Sequence, residues 1–330
     1  MQTLLLDSVA VDENARMDEV IDAVERAFAA YERGDVQMPA KSYIDLPEYN
    51  GDFRSMPAYL NADAWDAAGI KWVNVHPDNP HAHDLPTVMG IVIYSDPGTA
   101  FPLAIIDGTE LTMKRTGAAA AVATDHLAVS DASSLGIIGA GTQAYTQLEA
   151  IATVRDIERV VIADLDEERV NRFIKTFEDD FQVMSGSPAE AARCDVLSTV
   201  TPVEEPIVDR EMVGTYTHIN AMGADAKEKQ EIDEELLLDA KLIIDDYDQC
   251  THSGEINVPW NKGYLTDKDI YAELGEIVIG SKPGRTTEDT VTVFDSTGLA
   301  IQDIATAHVV YEYAVKNNNG HPFDLLGLDK

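Results

Sequence analysis

The chain has 330 residues, of which 45% are hydrophobic and 25% charged, a length and composition that suit two globular domains rather than one core or a disordered segment. Its 59 acidic and 24 basic side chains leave a net charge of −35, which repels nucleic acid and anionic membranes and excludes both as partners. No apolar run reaches the ~18 residues of a membrane span, and Cys194 and Cys250 alone cannot build a disulfide scaffold or a structural zinc cluster. Met1 to Leu6 lacks a basic leader region and is followed by Asp7, so a cytoplasmic location without a secretory signal is expected. The acids run along the whole chain, in amphipathic segments such as Asp18-Glu19 and Glu231 to Glu235. They read as a solvated coat, suited to a salt-rich cytosol in which screening removes most self-repulsion.

In chain order, residues 17–33 place Val20, Ile21, Val24, Ala27, Phe28 and Tyr31 at helical spacing, with Gly34 as the stop. From about 36 to 112 the pattern changes to short β-type runs, Lys71 to Val75, Thr87 to Tyr94 and Leu103 to Ile106, cut by Pro and Gly. These predict a mostly antiparallel sheet beside a helix. The alanine-rich stretch 116–128 predicts a helix leading into the next unit. There, strands alternate with helices: Leu135 to Ile138, a helix at 142–153, Arg159 to Ala163, a helix near 166–179, then Phe181 to Met184, Asp195 to Thr199, Thr217 to Ala221 and Lys241 to Asp245. Such alternation implies right-handed βαβ units and a parallel sheet. A last helix, about 299–316, is expected to pack back on the N-terminal domain. The fold class is therefore α/β: a doubly wound parallel sheet beside an α+β N-terminal domain completed by the C-terminal helix. Its expected domains are 1–118 with 299–330, and 119–298.

The most informative stretch is LGIIGAGTQA, residues 135–144, where a hydrophobic strand runs into G-x-G-x-x-A and a helix. Gly139 permits the tight turn and Gly141 lets backbone approach a pyrophosphate. Ala144 keeps helix and strand close, and the helix N-terminus attracts phosphate charge. Asp164 ends the second strand, where a carboxylate binds the adenosine ribose hydroxyls and repels a 2′-phosphate, favouring NAD over NADP. Asp164 is equally suited to cap the following helix. Thr199 and Thr201 follow the strand Asp195 to Ser198, at the carboxyl edge where ligands bind in open parallel sheets, unless they form only a Thr-Pro turn.

Three further residues sit in contexts that ask for chemistry. Lys71 lies in a strand-like run where a buried ammonium needs an anionic partner. Arg115 stands just before the alanine-rich helix, and Asp225 follows Asn220-Ala221-Met222-Gly223-Ala224 off the end of a strand. Lys71 and Arg115 could clamp a carboxylate while Asp225 exchanges protons with an amine. An edge lysine, a structural salt bridge and a helix cap are the structural alternatives. His76, His81 and His83 cluster, but Pro77 and Pro80 make the stretch a surface loop with no cysteine to complete a metal site, so no metal is expected.

Across residues 38–314 the chain carries MPAKSY, GDFRSMPAYL, GIKWVNVHPDNP, LPTVMG, DGTELTMKRTGAA, GIIGAGTQA, INAMGADAKEKQEID and FDSTGLAIQD in that order. With these motifs it resembles the ornithine cyclodeaminase/μ-crystallin family, and within it the archaeal-type alanine dehydrogenase branch. The resemblance implies an NAD-dependent amino-acid oxidoreductase that forms a homodimer and takes a small amino or keto acid. It implies that Asp225 is the catalytic acid/base, that Lys71 and Arg115 meet the substrate carboxylate, and that Lys41, Arg54 and Thr297 line the substrate. Implied cofactor contacts are Thr87, Arg115, Thr142, Gln143, Asp164, Thr201, Asn220, Ala221, Met222, Gly223, Lys229 and Ser296. Cyclodeaminases of the family have a glutamate near Arg54 that suits ornithine's distal ammonium. An arginine there repels that cation, which favours reversible oxidative deamination of alanine to pyruvate. The alternatives are ketimine or cyclic-imine reduction, ornithine cyclisation, and nucleotide binding with little catalysis.

Overall fold

The computed structural model describes residues 2–328; Met1 and residues 329–330, which the expected domain limits include, lie outside the described residues. The chain forms two compact units, one running to Arg115 and resuming at Leu299, the other spanning Thr116–Gly298.

The first unit is built on β1 (Thr3–Leu6), β2 (Val36–Gln37), β3 (Ser42–Leu46), β4 (Gly51–Asn61), β5 (Asp66–Val75), β6 (Val88–Ser95) and β7 (Pro102–Asp107). Strands β4 to β7 form an antiparallel meander. β1 joins β7 in parallel and pairs on its other side with the last strand, His321–Phe323. Helices α1 (Ser8–Asn14) and α2 (Met17–Arg33) precede β2. Val20, Val24, Ala27 and Phe28 of α2 are fully buried, and Gly34 ends the helix at φ +79°, a conformation natural to glycine. The C-terminal helix, Ala300–Asn317, packs on α2 and on β4, β5 and β6. One sheet face is thereby covered. The other leaves Ile44, Phe53, Trp72 and Ile91 as an apolar row across β3 to β6, with Phe53 stacked on Trp72 at 5.2 Å.

Two local expectations need correction here. The stretch read as a histidine loop contains a short helix, α3 (Asn79–Ala82). His81 and His83 are exposed, but His76 is half-buried, bonded to Asn74 and edge-on to Phe53. The alanine-rich helix is longer than its composition suggested: α4 spans Gly108–Leu127. Its start is set by the Asp107 carboxylate, which accepts from Glu110 N at 2.8 Å, and by Gly108, where a Cβ would meet the Gly90 carbonyl carbon at 2.7 Å. Arg115 therefore lies inside a helix and not ahead of it.

The second unit runs β8 (Ser134–Ile138), α5 (Thr142–Val154), β9 (Arg159–Ala163), α6 (Glu167–Phe177), β10 (Gln182–Ser185), β11 (Val196–Thr199), β12 (His218–Ala221), β13 (Lys241–Ile244), β14 (Ile270–Glu273) and β15 (Thr292–Asp295). All eight strands are parallel, in the order β10-β9-β8-β11-β12-β15-β13-β14, so the chain winds outward both ways from the β8/β11 boundary. The helices bury both faces. Leu135, Ile137, Val160 and Ile162 join one apolar cluster, while the alternate residues Ile138, Val161 and Ala163 join the other. β14 and β15 of this sheet, and β1 to β4 of the first unit, were missing from the sequence reading.

Candidate active site

In the first unit, β5 turns Lys71 to the covered face, where it is 1% exposed. Its Nζ donates to Asp303 Oδ1 at 2.7 Å and to Thr112 Oγ1 at 3.3 Å. Asp303 comes from the first turn of the C-terminal helix and is fully buried. Arg115, from α4, brings Nε within 3.2 Å of the same Asp303 oxygen, without hydrogen-bond geometry, and Nη1 donates to Gln302 Oε1 at 3.3 Å. Two buried cations thus share one carboxylate. Burial pulls the Lys71 ammonium down to about 7 against the opposing pull of Asp303, and the charges of Arg115 and Lys41 act in the same direction as burial. Arg115 Nε, Asp303 Oδ2 and Gln302 Nε2 are buried with no hydrogen-bond partner. Two of these atoms, Arg115 Nε and Gln302 Nε2, are donors that suit one more anion with its own oxygens, while Asp303 Oδ2 is an acceptor that needs a donor.

Arg54 stands on β4 on the same sheet face as Lys71, two residues from Met56, the cross-strand partner of Lys71. It is not a bare cation: Asp52 lies 2.9 Å from Nη2, and the Tyr43 ring lies 5.5 Å from the guanidinium carbon. The repulsion of a distal ammonium argued from Arg54 is therefore partly offset by Asp52. Thr87 and Lys41 are half-buried in this unit.

In the second unit, Gly139 takes φ +105°, and a Cβ there would meet Val200 O at 2.9 Å and Thr201 Cγ2 at 3.0 Å. A Cβ at Gly141, the N-cap of α5, would meet nothing within 4 Å, which leaves open space above the helix N-terminus. Thr142 is exposed there, and the buried Oε1 of Gln143 has no partner. An open glycine cradle over unpaired amides, with an orphaned side-chain oxygen beside it, fits a dinucleotide phosphate and its attached groups. Asp164 Oδ2 accepts from Ala140 N at 2.6 Å, tying the carboxylate to the turn, while Asp166 caps α6 through Glu168 N and Arg169 N. The capping alternative for Asp164 thus belongs to its neighbour.

The loops after β11 and β12 hold the remaining candidates. Thr199, Asn220 and Ala221 are fully buried, so their side chains serve the interior: Asn220 bonds His218 and Thr124, and Thr199 donates to Glu231 at 2.8 Å. Thr201 donates to Glu231 through both N and Oγ1 at 2.7 Å, and Gly223 N donates to it at 3.0 Å. Met222 and Gly223 are half-buried. Asp225 is half-buried and paired with Lys229 Nζ at 2.7 Å. Ser296 and Thr297 both donate to Asp245, at 3.0 and 3.2 Å.

Beneath these loops lie four buried acids, Glu231, Asp245, Glu255 and Asp295. Glu255 accepts from Glu231 N and Ile232 N, and Asp295 from Glu255 N and Ile256 N. Burial, then the charges of Glu231 and Asp295, hold the Glu255 carboxyl well above the usual range, and burial lifts Asp295 to about 7. Two residues escaped sequence reasoning. Asp303 was readable as the lone acid in the apolar run of a C-terminal helix. Glu231 was assigned to the solvated coat but is fully buried, and nothing in its acidic surroundings distinguishes it.

Residues 1–318 match the ornithine cyclodeaminase/mu-crystallin family. The alanine dehydrogenase of Archaeoglobus fulgidus is 48% identical over 321 residues, covering 97% of this chain and 98% of that relative. A solved archaeal alanine dehydrogenase dimer with bound NAD superposes with a TM-score of 0.93 at 46% identity, over 99% of this chain and 100% of that one. The Thermococcus litoralis Delta(1)-pyrroline-2-carboxylate reductase, solved with NADH and L-proline, gives 0.92 at 36% identity, over 97% and 99%.

Proposed function

The chain belongs to the ornithine cyclodeaminase/mu-crystallin family, and from that premise we propose that it is an NAD-dependent alanine dehydrogenase, interconverting L-alanine with pyruvate and ammonia. The observation that carries this reading is the pair of buried cations, Lys71 and Arg115, sharing the single carboxylate of Asp303. Their excess positive charge and unpaired Arg115 Nε suit a small carboxylate. In this reading the residues up to 115 and from 299 serve substrate binding and dimerisation, and 116–298 bind the dinucleotide.

Gly139, Gly141, Thr142 and Gln143 would hold the pyrophosphate side of NAD, Asp164 its adenosine ribose, and the loops at Thr201, Met222 to Gly223 and Ser296 its nicotinamide end. When bound, NAD supplies the acceptor for the hydride leaving the α-carbon. Lys71 and Arg115 fix the carboxylate and thereby the direction of that hydrogen. Asp225 takes a proton from the amine and then activates water against the resulting substrate imine, from which ammonia leaves. The acid at Asp164, followed by Asp166, Glu167 and Glu168, disfavours a 2′-phosphate and supports NAD over NADP.

The apolar row Ile44, Phe53, Trp72 and Ile91 supports a second copy of the chain against that sheet face, and the similar archaeal alanine dehydrogenase was solved as a dimer. Among the described residues no helix is long and apolar enough to cross a membrane, and both cysteines are buried and free, which supports a cytoplasmic enzyme.

A second reading, reduction of a preformed cyclic imine, draws on the likeness to the pyrroline-2-carboxylate reductase. Assaying NADH oxidation with pyruvate plus ammonia against pyrroline-2-carboxylate separates the two; turnover of the imine alone overturns the dehydrogenase. Asp225→Asn is expected to lower turnover by about 10²–10⁴ with NADH affinity within about twofold. Near-normal turnover would remove Asp225 from the mechanism.

A further inference from the structure

Glu231 is an acidic side chain with no solvent exposure, and among the described residues it forms no ion pair; burial pushes its carboxyl up, and the hydrogen bonds of Thr201, Thr199 and Gly223 pull it back. What holds it is a set of four donors arranged two to each oxygen. Oε1 accepts from Thr201 N and Thr201 Oγ1, both at 2.7 Å; Oε2 accepts from Thr199 Oγ1 at 2.8 Å and Gly223 N at 3.0 Å. The donors come from the last residue of β11, the loop after it and the loop after β12.

These loops also touch one another. A Cβ at Gly223 would lie 2.6 Å from Thr201 N and 2.5 Å from Glu231 Oε2, so only glycine lets the two loops close on the carboxylate. On its far side Thr201 presents its methyl to Gly139, the first glycine of the dinucleotide turn. One carboxylate therefore stands behind three segments at the carboxyl edge of the sheet, next to the β8/β11 boundary where ligands bind in such folds.

The backbone leading to Glu231 is braced as well. Asn257 accepts from Glu228 N and donates to Lys229 O, holding Glu228 at φ +69°, and Glu255 receives the amides of Glu231 and Ile232. The segment 225–231 is thus anchored at its far end, while Glu231 reaches back to Gly223, two residues before Asp225.

We propose that Glu231 is a positioning residue: its carboxylate sets the spacing of the Thr201 and Gly223 loops, and with it the seat of the nicotinamide end and the place of Asp225. This rests on the dehydrogenase reading, in which those loops face the cofactor. The chemistry makes the role specific to a carboxylate. Each oxygen accepts one main-chain N–H that cannot turn around, so the amide of a glutamine must aim a donor at a donor on one side or the other.

The test uses the full chain, with NADH fluorescence titration, steady-state kinetics and thermal melts for wild type, Glu231→Gln and Thr199→Val. Thr199 is fully buried and reaches the site only through its hydroxyl on Glu231, so its variant withdraws one donor without touching the cofactor. Assays run well below each variant's melting temperature. Glu231→Gln is expected to raise the NADH Kd and lower kcat by about tenfold or more each, with KM for alanine within about threefold; Thr199→Val should move both in the same direction by about two- to fivefold. If both variants melt lower yet keep NADH affinity and kcat within about twofold of wild type, Glu231 is merely structural and the proposal falls. If Glu231→Gln does not fold, Thr199→Val decides alone on the same criterion. A wild type that takes up no NADH overturns the functional reading and this inference with it. A wild type that binds and turns over beside unaffected variants overturns only the inference.

Discussion

The two units bury charge in opposite ways. In the first, Lys71 and Arg115 are cations short of an anion, with one carboxylate between them and donors left over. In the second, Glu231 and Asp295 are acids that among the described residues form no ion pair, yet backbone amides and, for Glu231, threonine hydroxyls fill their oxygens. Charge satisfied by fixed dipoles behaves as a brace, because nothing is left to bind. Charge left over behaves as a receptor, because an incoming ion completes it. The difference separates the residues that should meet a substrate from those that should hold the loops in place.

The sharpest attempt to break this contrast removes a receptor charge. Lys71→Met should lower turnover by about 10³ while the fold persists, since an apolar side chain of similar length replaces a costly buried ammonium. A variant with most of its activity would show that Lys71 is a structural partner of Asp303 and no receptor.

A smaller effect concerns pH. An anion favours the charged form of Lys71, whose value in the free protein is about 7, so binding takes up a proton above that pH. The affinity for oxamate, an unreactive pyruvate analogue, should therefore weaken by up to about tenfold per pH unit above 7. Lys71→Met should flatten this dependence, and Asp303→Asn should shift its onset to lower pH by withdrawing the charge that supports the ammonium. Titration calorimetry across pH 6–9 reads all three.

The smallest effect is on stability, where the two regions should slope in opposite directions. Asp295 sits at about 7 in the folded chain against an ordinary 3.8, so the folded state holds its proton more tightly; that contribution is complete below 3.8 and is lost as pH rises to about 7. Lys71 sits at about 7 against an ordinary 10.5, so between these values the unfolded chain binds more protons and stability rises with pH. Comparing melting temperatures of wild type with Asp295→Asn and Lys71→Met checks the signs. Asp295→Asn should alter only the acid limb and Lys71→Met only the alkaline limb. Parallel changes would erase the distinction.

Much of this architecture was legible beforehand, for local reasons. Strand and helix periods around β8, α5 and β9 are long enough to read, and the glycines at 139 and 141 have a backbone reason to be there that needs no tertiary knowledge. The strands β14 and β15 were not legible, although the equally short β10 to β13 were, so length alone does not explain the difference. The start of α4 depended on an aspartate cap and a glycine contact with β6, of which composition gives no hint.

By itself the sequence determined the order of elements, the dinucleotide turn and the need of Lys71 for an anionic partner, since periodicity, glycine geometry and desolvation are local properties. Only the tertiary structure decided who that partner is and which acids leave the surface. Asp303 reaches Lys71 across 232 positions of chain, and Glu231 is fully buried while Glu235, in the same acidic run, is exposed. The reason is that burial of a charge depends on the donors that surround it, and here those donors come from segments far apart in sequence.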